Sequence, residues 1–282
     1  MTLKVGINGV AGKMGSTTKA ALQKEPSLEL RCEIDQRFSG KESSPADAYG
    51  SGEKCLQAAS LDNLERLCVA NNQNPRDMMD ILIDFTDAET LFATALWCVK
   101  SGVHLVSGST GLSEEKTAHL EALFADPKAP NCVLAPNFSI SALVLMHLAK
   151  VAAPYFDSVE IIELHHDEKK DAPSGTAVAT ARHIAGSLEK AGVSLRPDPT
   201  ETEKIQGARG AEAAHGIKIH AVRLHGLVAH EEVLFGSTGQ SLTLRQDSYD
   251  RTSFMPGVML AAKSVSETQG MTLGLEKLLN LS

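Results

Sequence analysis

No two cysteines in this sequence are spaced Cys-x-x-Cys. The five that occur, Cys32, Cys55, Cys68, Cys98 and Cys132, are scattered, and several lie in apolar runs. That pattern excludes a disulfide framework and a zinc ribbon and reads as buried thiols in a reducing compartment. Positive charge is in short supply as well. With 27 Lys and Arg against 35 Asp and Glu, the formal net charge is −8, which argues against a nucleic-acid partner or an anionic membrane surface. No apolar run reaches the length of a membrane span, and Met1-Thr-Leu-Lys4 opens into a strand rather than a signal peptide. There is no internal repeat and no low-complexity tract. The expectation is a cytoplasmic enzyme or binding protein. At 282 residues and 43% hydrophobic, it can fill a large core and divide into two domains.

The amino terminus has an organised start. Leu3 to Ile7 reads as a strand, Gly9 to Gly15 as a glycine turn, and the following run to about Lys24 as a helix. The glycines permit a tight turn, close approach of a pyrophosphate to the backbone and close helix–strand packing. The fit to G-x-G-x-x-G is imperfect, because Val10 stands where its first glycine would be. A second apolar strand, Leu28 to Ile34, ends at Asp35, twenty residues after Gly15. A dinucleotide fold places its ribose-binding carboxylate there. The alternative is a βαβ unit with ordinary packing glycines. Asp35 would repel a 2′-phosphate and favours NADH, while Lys13 and Arg37 pull towards NADPH.

The densest chemistry lies at Glu163-Leu-His-His-Asp-Glu-Lys-Lys-Asp-Ala-Pro-Ser-Gly-Thr-Ala177. An apolar strand, Val159 to Leu164, runs into it and an alanine-rich run leaves it. Histidine is the side chain best suited to trade a proton near neutral pH. The amides of Ser174, Gly175 and Thr176 at a helix start would face an anion. The stretch therefore reads as proton transfer to a small dicarboxylate or phosphate-like substrate. Adjacent histidines and Lys169-Lys170 also suit a solvated strand end.

Between these regions strands and helices alternate, which favours a parallel, doubly wound sheet. A polar loop is expected from Asp35 to about Ser60, then a helix Leu61 to Ala70 and a strand Ile81 to Phe85. Thr86 and Glu89 form a capping-box pattern for a helix through Lys100. Strand His104 to Ser107 ends in Gly108 to Gly111, and strand Cys132 to Ala135 ends in Pro136 to Ser139. These strand ends would line the ligand-binding carboxyl edge. From about Asn137 the pattern changes to a long helix, a helix Thr176 to Ala191, a loop Ser194 to Ala214, and three strands within Ile217 to Arg245. Such an order suggests a mixed sheet. The last helix, Phe254 to Thr268, is apolar enough to return to the first domain. His215, His220, His225 and His230 recur every five residues. That step alternates faces of a strand, so no metal site is expected from them.

Taken together, Gly9 to Gly15, Asp84-Phe-Thr86, Gly108-Ser-Thr-Gly111, Ala135 to Ser139, Glu163 to Ala177 and Arg251 make the chain resemble the 4-hydroxy-tetrahydrodipicolinate reductase (dihydrodipicolinate reductase) family. The resemblance covers nearly the whole chain. It implies an α/β protein with an N-terminal Rossmann-type dinucleotide-binding domain (residues 1–136 with 252–282) and a C-terminal α+β substrate and oligomerisation domain with a mixed sheet (residues 137–251). It implies NADH or NADPH as cofactor, a homotetramer, and reduction of a cyclic imine dicarboxylate in the diaminopimelate route to lysine. Position by position, His165 corresponds to the proton donor and Lys169 to the other catalytic group, while His166, Gly175 and Thr176, with Ser174 beside them, correspond to substrate contacts. Gly9, Val10, Ala11, Gly12, Lys13, Met14, Asp35, Gly108, Ser109, Thr110, Ala135, Pro136, Asn137 and Phe138 correspond to cofactor contacts. Three positions depart from the pattern. Ser109-Thr110 replaces a threonine pair, and Gln36 replaces the basic residue that often follows the ribose acid, which argues against strong NADPH use. Ala229-His230-Glu231 stands for Gly-Glu-His, so His230 receives no role. Two rivals remain: another two-domain NAD-dependent dehydrogenase of amino-acid metabolism, and a non-catalytic NAD-binding sensor. Neither calls for His165 and Lys169 together.

Overall fold

The computed structural model describes residues 2–41, 55–70 and 72–281. Most of the loop expected between Asp35 and Ser60 lies outside the described residues. The chain packs as two units, Met1–Phe138 with Phe254–Asn280, and Ser139–Ser253.

The first unit is built on seven parallel strands: β1 (Leu3–Asn8), β2 (Leu28–Ile34), β3 (Leu56–Ala58), β4 (Ile81–Asp84), β5 (His104–Ser107), β6 (Cys132–Leu134) and β12 (Met271–Leu273). Their order is β12-β6-β5-β4-β1-β2-β3, and every adjacent pair is parallel. β4 and β6 are buried along their whole length, as strands covered on both faces must be. The core gathers Ile34, Leu64, Leu82, Trp97, Leu105 and Phe124. Helices α1 (Lys13–Leu22), α2 (Leu61–Ala70), the single turn α3 (Pro75–Met78), α4 (Ala88–Ser101) and α5 (Glu114–Phe124) make the crossovers. Helix α8 (Met255–Ser264) and β12 return the chain to this unit.

Two local points position the carboxyl edge of this sheet. Gly9 has φ +79°, a left-handed conformation that favours glycine. A Cβ on Gly15 would collide with the Gly9 carbonyl oxygen, so the third glycine of the turn is set by α1 packing against the loop. The helix expected to be capped by Thr86 is capped by Asp87, which accepts from the amides of Glu89 and Thr90 at 3.0 and 2.9 Å. Thr86 donates its hydroxyl to Asp84 at 2.9 Å instead.

The second unit is a five-stranded mixed sheet, ordered β11 (Gln240–Ser248), β10 (Ala229–Ser237), β7 (Ser158–His165), β9 (Lys218–Arg223), β8 (Ala211–Glu212). β7 and β9 run parallel and the other pairs antiparallel. Alternate residues of β7, Val159, Ile161 and Glu163, are buried. Helices α6 (Ile140–Ala152) and α7 (Gly175–Ala191) cover that face, packing Leu145, Ala149, Ala181 and Ile184 against Ile161, Val233 and Phe235.

β3, β8 and β12 are two or three residues long, and the apolar pattern of the sequence does not mark them. Each is a strand because a neighbour pairs with it, and no local periodicity marks so short a piece.

Candidate active site

Burying a carboxylate is costly unless donors converge on it. Glu163, on β7, is wholly buried. Arg223, at the end of β9, grips it with two bonds: Nη1 donates to Oε2 and Nη2 to Oε1, each at 2.8 Å. Its Oε1 also accepts from the Ser174 amide at 3.1 Å, and its Oε2 meets His165 Nδ1 at 2.5 Å. Burial pushes the Glu163 carboxyl up, but the bonds and charges of Arg223 and His165 outweigh it and hold the group below its usual value. Burial lowers His165, and the Glu163 bond only partly offsets that; the charges of Lys169 and Arg223 add to the lowering. His165 thus sits at a strand end with Nδ1 held and Nε2 remaining for a ligand.

The rest of the predicted stretch folds around this point. Lys169 donates Nζ to Asp171 at 2.7 Å and is 18% exposed. Arg223 Nη2 also donates to the Asp171 carbonyl at 2.8 Å, which ties the loop carrying Lys169 to β9. His166 is half-buried, and its carbonyl accepts from the Lys169 amide at 3.2 Å. Ser174 spends its amide on Glu163, and its hydroxyl accepts from Ala177 at 3.1 Å. It is the cap of α7 and is buried. Gly175 is exposed with open space where a Cβ would stand, and Thr176 is half-buried. Arg223 was not foreseen as a site residue. Its sequence signal is a single cation closing an apolar strand.

In the first unit a cavity of about 500 Å³ opens at the carboxyl edge, lined in part by Asn8, Gly9, Gly12, Asp35, Gln36, Arg37, Thr86 and Trp97. Asp35 accepts from the amides of Ala11 and Arg37, both at 3.0 Å, fixing the glycine turn to the end of β2. The Arg37 guanidinium donates to the Ala11 carbonyl at 2.6 Å and lies 3.8 Å from Asp35. α1 starts at Gly12 without a side-chain cap or an acidic residue in its first turn, so its amides suit a pyrophosphate. With Asp35 at the wall, the cavity fits a nicotinamide dinucleotide. Val10 is buried, Ala11 and Met14 are half-buried, and Lys13 is exposed. Ala59, Ser60, Leu61 and Asp62, also at the wall, carry no signal beyond following a short strand.

Beneath that edge a second buried carboxylate, Asp84, accepts from Asn8 Nδ2 (3.1 Å), Ser107 Oγ (3.0 Å) and Ser109 Oγ (2.9 Å), besides Thr86. Burial pushes it up against the pull of the three hydroxyls. It ties the ends of β1, β4 and β5 together. Gly108 leaves room for Phe85, which meets Phe138 edge-on at 5.9 Å between ring centroids. Ala135 is buried, Asn137 half-buried, and Pro136 and Thr110 exposed.

The four spaced histidines each pair with a separate carboxylate: His215 with Glu189, His220 with Glu160, His225 with Asp167 and His230 with Asp247. His230 Nε2 accepts from the Val228 amide, so its Nδ1 donates to Asp247.

Residues 3–138 match the family model described as dihydrodipicolinate reductase, N-terminus, and residues 141–279 match its C-terminus. The chain belongs to the dihydrodipicolinate reductase family. The protein named 4-hydroxy-tetrahydrodipicolinate reductase from Corynebacterium urealyticum is 40% identical over 279 residues, covering 99% of both chains. Its namesake from Mycobacterium marinum is 42% identical over 99% of this chain and 100% of its own. A solved structure, the dipicolinate-bound dihydrodipicolinate reductase from Paenisporosarcina sp. TG-14, superposes with a TM-score of 0.80 at 37% identity, over 98% of this chain and 99% of that one. The amine dehydrogenase of Mycobacterium smegmatis, at 15% identity and a TM-score of 0.59, shares the fold alone. Within this family the N-terminal domain is the NAD(P)-binding Rossmann domain, and the chain is an oxidoreductase.

Arg223→Ala should destabilise the protein by about 3 kcal/mol, because it leaves Glu163 buried without its cation. Chemical denaturation of the variant and wild type measures this. Arg223→Lys should recover part of the loss, since a lysine cannot make both bonds at once.

Proposed function

We propose that the chain reduces 4-hydroxy-tetrahydrodipicolinate to tetrahydrodipicolinate with NAD(P)H, in the diaminopimelate route to lysine, with His165 as proton donor and Lys169 as the second catalytic group. The observation that carries the reading is the Glu163–His165 bond at 2.5 Å, at the strand end where the family signature lies. The first unit holds the cofactor and the second the substrate. The substrate's hydroxyl leaves as water together with a proton from the neighbouring ring carbon, and NAD(P)H, when bound, would supply a hydride to the carbon the hydroxyl has left.

The chain's own residues handle the charge and the proton. With Nδ1 held by Glu163, the transferable proton of an imidazolium His165 sits on Nε2, where it can be delivered to the carbon left electron-rich beside the reduced one. Lys169 stabilises charge on the ring nitrogen. The α7 amides at Gly175 and Thr176, with His166, hold a substrate carboxylate, and Ser174 serves them by capping the helix. The dipicolinate in the Paenisporosarcina structure is a dicarboxylate of the size this reading requires. Asp35 receives the ribose hydroxyls. Asp35 repels a 2′-phosphate and Arg37 beside it supplies a cation for one, so both cofactors are used, NADH at least as well as NADPH.

We further propose a homotetramer built through β9, β10 and β11. One face of their sheet packs on α6 and α7. The other carries Ile162, Leu164, Val222 and Leu234, half-buried, among ion pairs such as Arg245–Glu232 and Arg209–Glu160. The described cysteines are all unpaired, in keeping with a cytoplasmic enzyme, and no helix among the described residues is long and apolar enough to cross a membrane.

His165→Ala and Lys169→Ala should each lower kcat by about 10²–10⁴-fold with NADH affinity unchanged, read by nicotinamide absorbance at saturating substrate. Near-wild-type turnover of His165→Ala would sink the assignment. Asp35→Ala should weaken NADH binding by about 1–2 kcal/mol and NADPH binding by less, because the charge that repels the 2′-phosphate is gone; fluorescence titration with both cofactors decides it. Sedimentation at micromolar concentration should show a tetramer, and a single monomeric species would refute the assembly.

A further inference from the structure

A second carboxyl group lies behind Glu163, and the chemistry above leaves it without a task. Glu231, on β10, is the direct antiparallel partner of Glu163 on β7, and it is only 2% exposed. Side chains so paired share one face with Cβ atoms about 4.5–5.5 Å apart. On its other flank β11 places Gln246, and α7 places Thr180 beside it. No cation faces it from these elements, because both Arg223 Nη atoms are spent on Glu163.

The hydrogen-bond inventory decides which form of Glu231 the fold holds. Among the described residues its Oε1 has no hydrogen-bond partner, which an ionised carboxylate in a dry interior does not tolerate and a neutral acid does. The Thr180 hydroxyl has one proton, and that proton goes to the Thr176 carbonyl at 3.0 Å. Towards Glu231, Thr180 therefore has an oxygen to accept with and nothing to donate. A carboxylic acid matches that partner. Glu163, opposite, keeps its charge through Arg223 and the Ser174 amide.

Resting on the reading of His165 as proton donor, we propose that Glu231 is a positioning residue that holds a proton behind Glu163 and, on releasing it, makes His165 keep its own proton more tightly. Burial pushes Glu231 up to about 7, and the Glu163 charge adds to the rise. His165 is lowered, chiefly by burial, and faces Glu163, Lys169 and Arg223. The sign follows from the charges. While Glu231 is neutral, Glu163 is the anion stabilising the imidazolium. Once Glu231 ionises, a second negative charge stands behind the first, and the imidazolium persists to higher pH than it otherwise would.

The test is an NMR titration of the His165 ring in the full-length protein without cofactor, from about pH 5 to about pH 9, a span that brackets the ordinary histidine range. Wild type should show a second inflection, from the proton that Glu231 releases. Glu231→Gln, neutral at every pH, should show one inflection displaced to lower pH, with the imidazolium fraction near neutrality about threefold smaller, equivalent to half a pKa unit. A single inflection in wild type overturns the proposal even if the variant fails to fold, and superimposable titrations overturn it as well. The kcat profile separates this idea from the one beneath it. With His165 as donor, Glu231→Gln should move the alkaline limb to lower pH, whereas a purely structural loss would scale the profile without moving the limb. Altered His165 titration with an unmoved limb would support the coupling and refute His165 as donor.

Discussion

The grip of Arg223 on Glu163 is the constraint on which the second unit depends. A carboxylate with no solvent exposure survives only because a guanidinium meets both its oxygens and an amide and an imidazole take the remaining lone pairs. Each of those donors comes from a different segment: the end of β9, the turn before α7, and the end of β7 itself. The same bonds that satisfy one buried charge therefore set the orientation of His165 and the start of α7, and a further Arg223 bond to the Asp171 carbonyl sets the path of the loop bearing Lys169.

The cofactor half solves a similar problem with different partners. Among the described residues no cation pairs with Asp84, which is held by an amide and three hydroxyls drawn from β1, β5 and the loops after β4 and β5. Neutral donors stabilise a carboxylate less than a guanidinium does, and burial raises Asp84 where Arg223 and His165 bring Glu163 down. One buried acid gathers strand ends beneath the carboxyl edge of its sheet; the other also acts on the charge state of the His165 imidazole. The hydroxyl of Thr86 is turned towards Asp84, and the amides that open α4 are met by Asp87.

Much of the architecture was legible because it is written in local periodicity. Leu28–Ile34, Leu61–Ala70 and His104–Ser107 fall where their apolar patterns end, and glycine at positions 9 and 15 has the backbone reason the turn demands. The glycine turn and Asp35 meet as their spacing suggests, through the Ala11 amide. Less was legible where one residue serves a distant one. Arg223 reads as an ordinary strand end, and Glu163 and Glu231, far apart in the chain, read as strand polar residues.

The sequence by itself determined the order of strands and helices, the glycine turn with its acid, and the family signature from Glu163 to Thr176, because each depends on residues within a few positions of one another. Only the tertiary structure decided the pairing of Glu163 with Arg223 and Glu231, the commitment of Ser174 and Thr86 to buried carboxylates, and the short strands β3, β8 and β12. Those outcomes depend on sheet register, which brings residues from separate strands and turns onto one buried face, where an unpaired charge is too costly to leave.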